Sequence, residues 1–229
     1  MRGLLLLFLF GVCLQLHAQE NDGTTLADSS YLEDQFYIGI TYNLLLDRPT
    51  GVSQNNLSYG LQAGFIKDIP INKARTIALG IGLGYNNNSY YTNLFASESA
   101  DGFEYTILDS DTSFKRNKIE VHSLEVPLEF RWRNSTATSY KFWRIYTGFR
   151  LGYTVGARSK FVSNEQVISF TNTDVRDFQY GLTLNFGYNT FNFHAYYALN
   201  NLFNDNINIT NGNAVSLTPL RIGIIFYIL

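Results

Sequence analysis

The sequence predicts an all-β fold, an eight-stranded antiparallel up-and-down transmembrane β-barrel, and three observations carry that prediction. Bulky apolar residues recur at every second position, as in Phe36-Ile38-Ile40-Tyr42-Leu44, Ile77-Leu79-Ile81-Leu83-Tyr85 and Phe178-Tyr180-Leu182-Leu184-Phe186-Tyr188. Each strand therefore turns one apolar face outward. The residues between them, such as Thr41, Asn43, Gly80, Gly82, Gln179 and Asn185, are polar or small rather than charged. That composition suits a narrow enclosed lumen better than the solvated face of a sandwich. Finally, the connections alternate between long and short, as in barrels with long external loops and short periplasmic turns.

The N-terminus carries Arg2, an apolar run from Leu4 to Phe10 that weakens toward Leu16, and the small residue Ala18. Residues 1–18 read as a secretory signal peptide cut after Ala18, the run being too short to remain as a membrane helix. Cys13 lies inside that run behind Phe10-Gly11-Val12, a poor lipidation site. The processed chain then has no cysteine, which excludes disulfides, thiol catalysis and Cys-ligated metals. Losing Arg2 leaves 16 basic against 19 acidic residues, a balance unsuited to nucleic acid. Residues 19–34 are polar and acidic and read as a disordered periplasmic lead-in. Residues 35–229 are expected to form the barrel.

Eight strands are expected at residues 35–46, 57–67, 76–86, 118–133, 141–158, 176–188, 190–202 and 217–229, each long enough for a tilted crossing. Connections 47–56, 87–117, 159–175 and 203–216 are long, whereas 68–75, 134–140 and the single Asn189 are short. An even strand number puts both ends on the periplasmic side, and a secreted chain without a second apolar run can cross lipid only as a closed barrel. The expected compartment is the cell outer membrane, with outer-membrane lipid as a partner.

Aromatics gather at strand ends, with Trp132, Tyr140, Phe142, Trp143, Tyr188, Phe191 and Phe193 near the turns and Tyr85, Tyr90 and Tyr91 at the external rim. Such belts fit the headgroup level. Glycines including Gly39, Gly60, Gly80, Gly84, Gly148, Gly181 and Gly223 share the lumen parity. Inside an eight-stranded barrel they make room for larger neighbours, and no open pore follows.

Along the fourth strand, Leu124-Glu125-Val126-Pro127-Leu128-Glu129-Phe130-Arg131 resembles the recurring Leu-Glu-Ile-Pro-Leu strand of the PorT-like outer-membrane β-barrels of Bacteroidetes, with Val126 in the isoleucine position. Tyr188-Asn189-Thr190-Phe191-Asn192-Phe193, then Tyr196-Tyr197, and the closing Leu220 to Tyr227 are similar to the same family. The likeness runs from about Gln35 to the end. It implies a link to protein secretion across the outer membrane, with other envelope or secretion proteins as partners, and no functional residue carries over. One departure is that the outward set Leu220, Ile222, Ile224, Phe226, Ile228 is followed by an extra Leu229.

The sharpest polar constellation is a lumen charge network. Glu125, Glu129, Arg131 and Arg133 share the inward parity of their strand, and Arg144, Arg150 and Arg158 that of the next. The expected register sets Glu125 opposite Arg150, Pro127 opposite Gly148, Glu129 opposite Tyr146 and Arg131 opposite Arg144. Such pairs fill the bore, and breaking one costs roughly 3–5 kcal/mol. Pro127 lacks a ladder donor and is read as marking a bulge.

Lipid A acyltransferases and deacylases also use eight-stranded barrels and need a nucleophile beside a base. His122 and Ser123 are adjacent and so face opposite sides of a strand, His194 faces the lumen far from Ser123, and His17 leaves with the leader. Asp109 and Asp111 have the spacing that opens a calcium loop but lack its Gly and bidentate Glu. Asp101, Glu104, Asp109 and Asp111 are otherwise solvated acids, with bridging of lipopolysaccharide phosphates through divalent ions as the alternative. No catalytic residue, cofactor or metal is expected. The resulting expectation is a structural or partner-binding outer-membrane protein, with a lipid-modifying enzyme or a narrow passive channel as alternatives.

Overall fold

A computed structural model describes residues 34–100, 102–109, 111–134, 142–210 and 212–228. The expected leader and nearly all of the lead-in lie outside the described residues. In chain order the strands are β1 (Gln35–Leu46), β2 (Tyr59–Pro70), β3 (Ile77–Tyr91), β4 (Leu94–Ser99), β5 (Gly102–Ile107), β6 (Arg116–Arg133), β7 (Trp143–Val162), β8 (Val167–Thr171), β9 (Phe178–Tyr188), β10 (Phe191–Ala198) and β11 (Thr218–Ile228). Eight of them close into an antiparallel barrel in the order β6-β3-β2-β1-β11-β10-β9-β7, with β7 returning to β6. Closure pairs each of these eight strands on both sides, which is what a sheet in hydrocarbon requires.

Alternation sets the two faces. On β1, Phe36, Ile38, Ile40 and Tyr42 point outward and are exposed, while Gln35, Tyr37, Thr41 and Asn43 are buried inside. No described helix is long and apolar enough to cross a membrane. Trp143 lies against Phe186 and Tyr188 at centroid distances of 5.3 Å, and Phe191 meets Phe226 at 4.9 Å, forming an outward aromatic belt at the turn end. Phe142 and Tyr90, assigned to the belts by sequence, are instead buried. Tyr140 lies outside the described residues.

Several boundaries differ from expectation. β2 runs on through Asp68 and Ile69 to Pro70, and β10 stops at Ala198. The expected loop 87–117 is largely strand: β3 continues to Tyr91, β4 and β5 form a hairpin, and β6 starts at Arg116. β7 extends to Val162 and pairs there with β8. The last short turn holds two residues, Asn189 and Thr190, because Tyr188 pairs with Phe191. Asn189 takes φ 55°, the left-handed conformation such hairpins favour.

The β6–β7 register is two residues away from that expected. Glu125 faces Gly152, Pro127 faces Arg150, Glu129 faces Gly148, Arg131 faces Tyr146 and Arg133 faces Arg144. A two-residue slip preserves every facing, so parity could not distinguish the registers. The bulge lies not at Pro127 but at His122/Ser123, where Ser123 faces Thr154 and His122 faces Gly156. Val155 is the extra residue, and beyond it the parity of β7 reverses. Arg158 consequently points outward and is exposed, while Ala157, Ser159 and Phe161 turn inward. Pro127 has another effect: the β3–β6 ladder is interrupted between Ile81↔Leu128 and Gly84↔Glu125, with the register unchanged across the gap. A residue with no N–H removes a rung without shifting the strand.

Candidate functional site

Three layers fill the barrel. At the turn end Tyr37, Ile66, Tyr146, Ile225 and Tyr227 form an inward apolar cluster. Tyr37 reaches across the wall because Gly64 and Gly84 have no Cβ to meet its hydroxyl. Around this cluster, on both its turn side and its external side, lie the charges. Arg131 donates from Nε to Glu129 Oε2 at 3.1 Å and from Nη1 to Asp68 Oδ1 at 3.0 Å. Arg133 grips the same Asp68 in two bonds, at 2.8 and 2.7 Å. The side chains of Asp68, Glu129, Arg131 and Arg133 are all 0% exposed.

A second group centres on Glu125, whose two oxygens accept from Arg150 Nη1 and Arg221 Nη2, each at 3.0 Å. Arg150 Nη1 also donates to Gln62 Oε1 at 2.5 Å, and the Arg221 guanidinium lies 3.7 Å over the Tyr196 ring. Low permittivity strengthens each of these bonds and penalises any partner left alone. The structure thus brings Glu125 to Arg150 and Glu129 to Arg131. Arg144 stands apart: its guanidinium stacks over Phe142 at 4.6 Å and forms no ion pair among the described residues.

Sequence reasoning missed Asp68 and Arg221 as members. Asp68 falls in the expected turn 68–75, although Gly60, Gln62, Gly64 and Ile66 give it the inward parity of β2. Arg221 sits between the outward Leu220 and Ile222, and that parity alone could have found it. Because Arg158 faces out, it lies far from the network. His194 is buried and bonds through Nδ1 to Asn185 Oδ1 at 2.6 Å. His122 sits on the outer wall, with Nδ1 2.5 Å from the Tyr85 hydroxyl, while Ser123 is buried inside.

The third layer closes the external mouth. Leu45, Tyr90, Leu94, Tyr105, Ile119, Val121, Leu202, Phe203, Ile209 and Leu217 belong to one apolar cluster contributed by the strand ends and the segments above them. Tyr105 on β5 donates to Asn172 at 3.1 Å and Asp174 at 3.0 Å, and its ring meets Phe203 edge-on at 5.3 Å. Its carbonyl accepts from Thr210 N at 2.9 Å. Ser53 N donates to Asn93 Oδ1 at 2.7 Å, which fastens the first external segment to the same cap. Burial holds the Tyr105 hydroxyl far above the ordinary tyrosine range. The sequence gives no comparable signal for this cap, because its contacts join four separate segments.

The model of the outer membrane protein beta-barrel domain matches residues 17–204. The chain belongs to that family. Members of the family are outer-membrane barrels, and the closed eight-stranded wall with its lipid-facing belt places the chain in the cell outer membrane. Comparison with curated proteins returned no match. Among solved structures, the attachment invasion locus protein Ail of Yersinia pestis is similar at 13% identity, covering 85% of this chain and 97% of that one, with a TM-score of 0.37. A porin of Rh. blastica is similar at 10% identity, covering 86% and 100%, with a TM-score of 0.21.

Proposed function

We propose that the chain is a non-enzymatic outer-membrane component that presents a folded external cap to a partner, rather than a conduit or a catalyst. The observation that carries this reading is the continuous filling of the bore, from the Tyr37 cluster through the paired charges to the apolar cap. A solute would have to displace buried ion pairs and a hydrophobic core together. The cap is held by main-chain and side-chain bonds between segments, so it offers a preorganised surface, which lowers the ordering cost of association.

The PorT-like resemblance of Glu125 to Arg131 and its flanks supports a narrower version, an accessory of protein secretion working with other envelope proteins. The leader at residues 1–18 and the lead-in at 19–34 belong to the same reading, and intact-mass measurement of the protein from membranes would locate the cut after Ala18. Purification from native membrane with mass spectrometry of co-purifying proteins tests the main claim. Recovery with a large envelope complex, and stranding of secreted cargo in the periplasm on deletion, are expected. Stepwise conductance in planar bilayers, or an altered lipid A acyl pattern on deletion, would replace this reading with a channel or an enzyme.

A further inference from the structure

We propose that the outer wall of β6 and β7, just above the lipid belt, binds the sugar-linked phosphates of a glycolipid in the external leaflet. The residues of outward parity on β6 change character at one height: Trp132, Phe130, Leu128 and Leu124 are exposed and apolar, then come the half-buried His122 and Glu120, Lys118, which is buried, and the exposed Arg116. β7 changes at the same level, from Leu151, Tyr153 and Val155 to Arg158 and Lys160. The register aligns the two transitions, with Leu124 opposite Tyr153, Glu120 opposite Arg158 and Lys118 opposite Lys160.

This alignment is a product of the bulge. Without the extra Val155, Arg158 would share the inward parity of Arg150 and leave the outer wall. The shift instead sets Arg158 opposite Glu120 and Lys160 opposite Lys118, on strands about 4.8 Å apart. Like charges placed opposite one another repel, and Glu120 is already engaged by Lys118 and by His122 Nε2 at 3.2 Å. Among the described residues Arg158 and Lys160 form no ion pair; Arg158 donates only to Ser169 Oγ, at 2.6 Å. The flanking β8 faces them with Ser169 and Thr171, which bring no carboxylate. A cationic row at the headgroup level calls for an anion with several acceptor oxygens, and Arg suits phosphate in particular.

Charge complementarity also fixes the sector. At comparable positions the outward residues of β9 and β10 are Phe178, Tyr180 and Tyr197, and the same parity on β3 holds Asn87, the buried Ser89 and Tyr91, none of them charged. The row is therefore local to one side of the barrel rather than a general feature of the rim. Its anion must approach from the bilayer side, since it sits on the lipid-facing wall and outside the cap.

The test uses the full chain refolded into phosphatidylcholine nanodiscs that carry lipid A, with retained lipid counted by native mass spectrometry after detergent extraction. Wild type should retain lipid A at least tenfold more than the Arg158→Gln/Lys160→Gln variant, and at least tenfold more than it retains lipid A stripped of phosphate. Equal retention of phosphorylated and dephosphorylated lipid A would overturn the proposal, as would equal retention by a folded variant. Equal retention of phosphatidylglycerol would overturn the assignment to a glycolipid. The cold-gel shift of the folded band confirms that the variant folds, and the dephosphorylated lipid decides the matter with wild-type protein if it does not.

Discussion

Asp68 shows how a single inward carboxylate governs the lumen. It takes three hydrogen bonds from Arg131 and Arg133, and all three side chains are sealed from solvent. Asp68→Asn leaves two guanidinium groups without their shared anion, so the barrel should lose about 3–5 kcal/mol, read as a lower temperature for disappearance of the folded band on a cold gel. Gly84 acts by absence. An added methyl there strikes the Tyr37 hydroxyl, so Gly84→Ala should destabilise by roughly 1–3 kcal/mol. Adding Tyr37→Phe should recover most of that loss, and a double-mutant cycle in urea showing strict additivity would disprove the contact. Asp68 became legible only once β2 was seen to continue past Lys67, because Asp68-Ile69-Pro70 reads by itself as turn sequence.

Among the elements, the hairpin β4–β5 departs most from the sequence reading. Its residues lack a sustained period-two pattern, since both faces are partly covered by other external segments, so they read as loop. Tyr105 ties that hairpin to Asn172 and Asp174 and gives the cap a pH dependence. Burial raises its folded pKa above the unfolded value near 10. The stabilising contribution is therefore complete below about pH 10 and falls as pH rises through that region, because the unfolded chain releases a proton that the folded cap retains. Protease resistance of the external segments should fall progressively as pH rises above about 10 in the wild type. Tyr105→Phe should flatten that drop. The β6–β7 pair teaches a different lesson: facing was readable, yet one inserted residue, Val155, reversed it for Arg158 and Lys160.

On the scale of the whole molecule, the wall and the cap are two cores of different kinds. The wall is held by a closed ladder and the lipid around it, the cap by buried apolar contact among segments from four connections. Phe203→Ala removes a fully buried ring from the cap and should cost about 3–5 kcal/mol there. The expected result is faster cleavage of the external segments by protease with the cold-gel shift of the barrel unchanged. Simultaneous loss of both would mean that the two fold as one unit. Strand number, the outward belt and the inward position of Glu125, Glu129, Arg131, Arg144 and Arg150 followed from the sequence alone, because alternation along a strand is local and hydrocarbon selects one face of it. Register, the bulge, the partners of each arginine and the cap were settled only by tertiary structure. Those depend on which residues distant in the chain come to lie side by side, and a slip of two positions leaves the pattern along each strand the same.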